Sequence, residues 1–410
     1  MIVYLVCYAA SLLLALSRHY LLSGAGLLAA AVYLYASDYI RSGNLLHLRG
    51  IFALSFVGGQ GLACMKLSYL SQAWSAGTWL GLLVAFAGFY LAFYYLEAFS
   101  GEASVRVGGH SGAVQRRGLE SYAGTVFFCA VALAAVSAGC FAIEAVYMGY
   151  IPLLLRGVPH AYSYFHVTGL HYLTVSCVLV PALSVIYFCI EGGRSRGRLV
   201  CMLLADAAAV AIPLLCVSRS QLLFAVLLAL ITYMQMEHQL NPIYVVFALA
   251  GLIVLYILLT IARSHDTAYL NTVFEMKRHL PIFVTQPYIY IANNYDNFDC
   301  LVQELPAHSM GLKGMFPLWA LSGLKFIKPA LVDWPIYVNK EELTTVTLFY
   351  DAYYDFGIAG VFLFSSVLGA AAAWLSARTY PGRNPAWYLF YSQGALYFML
   401  SFFTTWYSNP

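Results

Sequence analysis

Two aspartates, Asp351 and Asp355, stand four residues apart in the string Tyr350-Asp351-Ala352-Tyr353-Tyr354-Asp355-Phe356-Gly357. In a helix that spacing places both carboxylates on one face, with Tyr350 and Tyr354 forming a second pair at the same interval. Two acids in front of an apolar run suit either ion pairs with nearby arginines or a division of labour, one acid taking a proton and the other binding a hydroxyl. Arg219 and Arg263 are the matching cations. A guanidinium grips a phosphate oxygen pair bidentately, although a lone arginine at a span end also snorkels to lipid headgroups. The triplet Asp355-Phe356-Gly357 is no kinase signature, because no glycine-rich loop, paired lysine or catalytic-loop motif accompanies it.

A second group is chemically distinct. Residues 285–305 hold Tyr288, Tyr290, Tyr295 and Phe298 beside Asn293, Asn294, Asp296 and Asn297. Rings that stack on a pyranose CH face, with amides and carboxylates for the hydroxyls, are what sugar binding uses. Membrane-interface belts are also rich in tyrosine.

The elements that must position these groups are membrane helices. The 410 residues are 62% hydrophobic and only 10% charged, against about 25% charged in soluble proteins, so the chain reads as an all-α polytopic membrane protein. Taking about 20 apolar residues per crossing, spans are expected near 1–17, 20–36, 51–66, 78–97, 122–143, 167–190, 199–217, 220–236, 242–262, 353–375 and 386–404. That is eleven, within a range of ten to twelve, in one integral membrane domain covering 1–410. Residues 1–17 read as a span or signal anchor. The net charge of +3 is spread over many loops, which argues against nucleic acid as partner. Eight of nine cysteines lie within or at the ends of apolar runs, and Cys300 is the only one in the long polar interval. No Cys/His cluster has the spacing of a metal site, so neither metal nor other cofactor is expected.

With a cytoplasmic N-terminus, ten arginines (Arg41, Arg49, Arg106, Arg116, Arg117, Arg194, Arg196, Arg198, Arg378 and Arg383) fall in inner loops. The short outer loops then hold only Arg18, Lys66, Arg156 and Arg219. That bias sets the orientation and puts the one long interval, 263–352, on the outer face between the ninth and tenth spans. Extended to Gly357, it carries ten of the 18 acidic residues. Residues 266–279 have helical character. Residues 311–332 read as one or two interfacial helices lying on the outer leaflet, so the interval is expected to be a partly helical cap.

Polar groups at membrane depth admit two readings. Asp206 is either a proton or ion site or a buried acid bonded to a neighbouring helix. His171, Glu144 and Gln60 fit the second reading better. Residues 149–166 read as an outer connector, or as a re-entrant segment bringing Arg156 toward the site. The glycine-bearing loop 100–120 lacks the strand and lysine of a phosphate loop and reads as a linker.

The Ser218-Arg219-Ser220 turn opening a span, the Arg263 exit into one long outer loop, the patch 290–297, and residues 344–347 leading to Tyr354-Asp355-Phe356-Gly357-Ile358-Ala359-Gly360 occur in this order. In them the chain resembles the bacterial Wzy-type oligosaccharide repeat-unit (O-antigen or exopolysaccharide) polymerases, over most of its length. The RX10G spacing of some members is not met: Leu230, Phe274 and Ile289 stand eleven residues beyond Arg219, Arg263 and Arg278. The resemblance implies a glycosyltransferase C-like, O-antigen-ligase-like architecture in the bacterial inner membrane with a periplasmic loop. It also implies metal-independent transfer between undecaprenyl-pyrophosphate-linked oligosaccharides, with a chain-length regulator as a further candidate partner. On that reading Arg219 and Arg263 stabilise the departing pyrophosphate, and Asp351, Asp355, His308 and His265 are the candidate bases. Arg156, Tyr290, Asn294, Tyr295, Asp296, Tyr350 and Tyr354 are the candidate substrate ligands. An O-antigen ligase, and a flippase or transporter of lipid-linked glycans coupled through Asp206, are the competing functions.

Overall fold

The computed structural model describes residues 1–99, 119–155, 164–191, 195–237, 267–278, 280–379 and 384–403, with isolated helical positions between 243 and 254. Among the described residues helix is the only regular secondary structure, and the one β-type pairing is an isolated bridge between Ser68 and Met276. Seven helices are long and apolar enough to cross a membrane. They are α2 (Tyr20–Ser42), α4 (Ala76–Phe99), α5 (Ala123–Met148), α6 (Leu170–Glu191), α7 (Arg196–Leu215), α8 (Arg219–Glu237) and α13 (Tyr350–Arg378). The apolar helices α1 (Ile2–Leu16) and α3 (Leu48–Cys64) are shorter. Most of the expected ninth span lies outside the described residues.

The chain divides into two compact units, the first comprising Met1–Arg106, Thr267–Ala377 and Tyr397–Pro410. Its helices approach closely because small residues face each other, as membrane packing requires. A Cβ on Gly369 of α13 would lie 2.2 Å from the Phe89 carbonyl oxygen of α4. At one end of this unit Arg49, 2% exposed, donates to both oxygens of Asp38 at 3.0 and 2.6 Å. Its Nη1 also donates to Glu97 at 3.4 Å. The ends of α2, α3 and α4 are tied there, so Arg49 serves as an internal cross-link.

The polar interval does not stay on the surface. It forms α9 (Thr267–Phe274), α10 (Ile282–Glu304), α11 (Phe316–Leu321), α12 (Leu324–Ile327) and then α13. Thirteen of the 23 residues of α10 are buried. A helix carrying this many polar groups enters a core only if each is paired, and α10 meets that condition. Asp296 receives the Lys66 ammonium at 2.5 Å, the Trp74 indole N–H at 2.7 Å and the Ser71 hydroxyl at 2.7 Å. Asp299 accepts the Ser75 N–H at 2.9 Å and the Thr78 hydroxyl at 2.6 Å, satisfying donors where α4 begins. Asn297 donates to the carbonyls of Leu343 and Thr345, and Asn294 to that of Phe402. The irregular stretch before α13 is thereby held against α10 by amide side chains. Residues 67–69 and 275–277 are joined by backbone bonds, Lys277 N to Leu67 O and Tyr69 N to Glu275 O, both 2.9 Å. The loop carrying Lys66 and the start of the polar interval therefore meet.

The second unit comprises Val107–Asp266 and Arg378–Leu396. Its apolar core is formed by α5, α6 and α7 around Ala134, Phe141, Val180, Ala209 and Ile212. Glu144, fully buried, accepts the Val167 N–H at 3.0 Å and the Thr174 hydroxyl at 2.8 Å, and lies 3.1 Å from His171 Nδ1. These two expected lone polar groups are therefore each other's partners. Asp206 of α7 accepts the Ser184 hydroxyl of α6 at 2.7 Å, the interhelical bond expected of a structural acid.

Candidate functional site

The helix α13 starts at Tyr350 with Asp351 in its first turn, where an acid is favoured by the helix dipole. It continues to Asp355 and is then broken. Phe356 and Gly357 leave helical geometry, Gly357 at φ 60° and ψ −144°, a conformation open to glycine and strained for other residues. The break leaves carbonyls of the first turns without helical donors. Residues 308–314 supply replacements: Ser309 N donates to Tyr354 O and Met310 N to Asp355 O, both at 3.1 Å.

The Asp355 carboxylate completes this clasp. It accepts the Ser309 hydroxyl, the Gly314 N–H at 2.8 Å and the Lys313 N–H at 3.2 Å. A Cβ on Gly314 would come within 2.5 Å of Asp355 Oδ2. Asp355 is 5% exposed and occupied by three donors. Read from sequence as a candidate base, it uses its carboxylate in the structure to hold the 308–314 loop.

Asp351 differs. Its carboxylate lies 3.6 Å from the Lys313 ammonium, with side-chain exposures of 5% and 15%. That ammonium also sits 4.8 Å from the centre of the Tyr354 ring. Around Tyr354 stand Trp334 at 5.9 Å and Tyr337 at 6.1 Å between ring centres. Tyr350 is locked, its hydroxyl accepting the Tyr337 N–H at 2.8 Å and donating to the Tyr337 carbonyl at 3.0 Å. His308 is exposed, its Nδ1 3.3 Å from the Tyr354 carbonyl and its ring 5.8 Å from that of Tyr353. The result is a carboxylate, an ammonium and an imidazole with aromatic walls, all gathered where α13 begins. It suits binding of a polar ligand with an apolar face and transfer of a proton at a carboxylate.

Five of the expected residues are thus gathered: Asp351, Asp355, His308, Tyr350 and Tyr354. Three others are corrected. Asn294 and Tyr295 are fully buried and Asp296 is 4% exposed. Tyr295 donates to the Phe56 carbonyl at 2.6 Å, with its ring against Phe56 and Trp74. These groups have spent their polar atoms and ring faces inside the fold, so the sugar-stacking surface read from the patch 290–297 is a core. Tyr290, 38% exposed, packs 6.1 Å from Phe403. Arg219 belongs to the second unit, half-buried at the first residue of α8 after Val217 at φ 55°. Arg263, His265 and Arg156 lie outside the described residues.

Sequence reasoning missed Lys313, Trp334 and Tyr337 as members of the cluster. The signal for Lys313 was present in the spacing of Gly311, Lys313 and Gly314, small residues on each side of one cation. Nothing in the sequence pairs it with Asp351, 38 positions away. Among the described residues no cluster of three or more His, Cys, Asp or Glu has metal-binding geometry.

Compared with known protein families, with curated proteins and with solved structures, the chain matches none.

Proposed function

We propose that the chain is a membrane glycosyltransferase that polymerises undecaprenyl-pyrophosphate-linked oligosaccharide repeat units without a metal, on the outer face of a bacterial inner membrane. In this reading it has eleven spans, a cytoplasmic N-terminus and a periplasmic 263–352 interval in a glycosyltransferase C-like architecture. The observation that carries it is Asp351 beside Lys313 and Tyr354 at the start of a candidate span, with Trp334 and Tyr337 alongside. This is where the headgroup and first sugars of a lipid-linked glycan would lie. Two contacts support the topology. The Lys66 loop and the start of the polar interval are hydrogen-bonded, which only loops on one side of the membrane can be. The ends of α2, α3 and α4 that carry Asp38, Arg49 and Glu97 converge likewise.

A hydroxyl on the terminal sugar of one repeat unit attacks C1 of the growing chain. The new O–C1 bond forms as the C1–O bond to pyrophosphate breaks, and the hydroxyl proton passes to Asp351, which returns it to solvent. Charge accumulates on the departing pyrophosphate, where a preorganised cation lowers the barrier most. Arg219 and Arg263 are assigned that role from sequence, and Lys313 is the cation beside Asp351. Asp206 accepts a hydrogen bond from Ser184, as a structural acid would, which favours the transferase reading over a flippase coupled through that residue.

The test is reconstitution of the purified protein with its lipid-linked repeat unit and no separate acceptor. Ladders of increasing repeat number support polymerisation. Transfer only to an added lipid-core acceptor would make the protein a ligase, and movement of glycan without new bonds would make it a transporter.

A further inference from the structure

Helices α11 and α12 expose large apolar side chains that the reaction proposed above does not use. Leu318, Leu321, Phe326 and Ile327 are 54%, 86%, 69% and 80% exposed. Patches of this kind mark contact with a membrane or partner. From Leu305 to Val332 the chain contains no acidic residue, and its cations are Lys313, Lys325 and Lys328. Lys313 is paired with Asp351. Lys325 lies over the rings of Phe316 and Phe326 at 6.0 and 5.2 Å, and Lys328 is exposed.

The depth of this face follows from its anchor. Ser309 and Met310 are bonded to the carbonyls of Tyr354 and Asp355, the fifth and sixth residues of α13. At 1.5 Å per residue those carbonyls lie about 6–8 Å along the helix. Beyond its break at Phe356 and Gly357, α13 continues over residues 358–378, which extend about 32 Å and by themselves match the roughly 30 Å hydrocarbon core. Its first turns therefore stand in the headgroup layer. The clasp fixes residues 309–314 there, and α11 begins two residues later.

We infer that α11 and α12 lie in the headgroup layer of the bilayer the protein itself spans, with Lys325 and Lys328 binding anionic phospholipid headgroups and the 318–327 side chains dipping toward the acyl boundary. The apolar area drives insertion. The two lysines select for negative lipid, each lysine near an anionic surface being worth about a fivefold preference. This inference is independent of the glycosyl-transfer reading.

The full-length protein in nanodiscs of phosphatidylcholine and phosphatidylglycerol, doped with a photoreactive analogue of one or the other, tests it by mass spectrometry of cross-linked peptides. The expected result is labelling of peptides covering 316–328, at least fivefold stronger with the phosphatidylglycerol probe. In K325Q/K328Q that excess falls to the phosphatidylcholine level while labelling of α13 peptides is unchanged. Labelling of 316–328 no stronger than that of buried α10 peptides would overturn the inference. So would an excess that survives the double substitution, or protein–protein cross-links at 318–327 that exclude lipid and mark a second copy as the occupant.

Discussion

Lys313 is held by two aspartates in two ways: Asp355 accepts its backbone N–H at 3.2 Å, and Asp351, one helical turn earlier, faces its ammonium at 3.6 Å. The carboxylate that fixes the loop thereby fixes the cation beside the other carboxylate. Asp355 holds the loop, and Asp351 faces the cation that the loop carries.

Loss of the Asp355 clasp should be felt first as instability. Asp355→Ala leaves the buried Ser309 hydroxyl and two part-buried backbone N–H groups unpaired, a loss of about 3 kcal/mol. Gly314→Ala should act alike, since its new Cβ would fall 2.5 Å from Asp355 Oδ2. Thermal unfolding in detergent is the measurement, and wild-type midpoints in both variants would contradict the clasp.

The Lys66–Asp296 pair is 4% and 5% exposed. Removing one charge from a buried pair costs about 3–5 kcal/mol, whereas replacing both with apolar groups of similar volume is often neutral. K66M and D296L should each lower the folded yield sharply, and the double variant should recover part of it. An additive double variant would show that the two charges are not coupled.

These two pairs show how far the sequence could be read. Apolar runs announced the helices, because about 20 apolar residues have few alternatives to a span. Asp351 and Asp355 were visible as a helical pair because their relation is local. The 290–297 patch misled because composition does not distinguish a polar surface from a polar core. Asn294, Asp296 and Asn297 are satisfied by Phe402, Lys66 and Leu343, partners 46 to 230 positions away. Lys313 escaped notice for the same reason.

Cys300 should be chemically quiet. Burial, reinforced by Glu304, Asp299 and Asp296, pushes its thiol up to about 12. The reactive thiolate therefore forms only as pH rises toward that value. At pH 8 alkylation should be on the order of a thousandfold slower than at an ordinary cysteine. Maleimide labelling read by mass spectrometry of the 300-containing peptide gives the rate, and rapid modification at pH 7 would contradict the half-buried, acid-flanked placement.

Close packing of α4 on α13 predicts that Gly369→Val misassembles the first unit, because the added Cβ would sit 2.2 Å from the Phe89 carbonyl oxygen. A monodisperse, wild-type-stable G369V protein in size-exclusion chromatography would contradict that crossing.

The central claim is that Asp351 accepts the proton during glycosyl transfer. In proteoliposomes supplied with the lipid-linked repeat unit, Asp351→Asn keeps the size and shape of the side chain and removes the base. It should lower the rate of polymer formation by 10² to 10⁴, with a thermal midpoint close to wild type. Ladders of normal length formed at a normal rate by D351N would contradict the account.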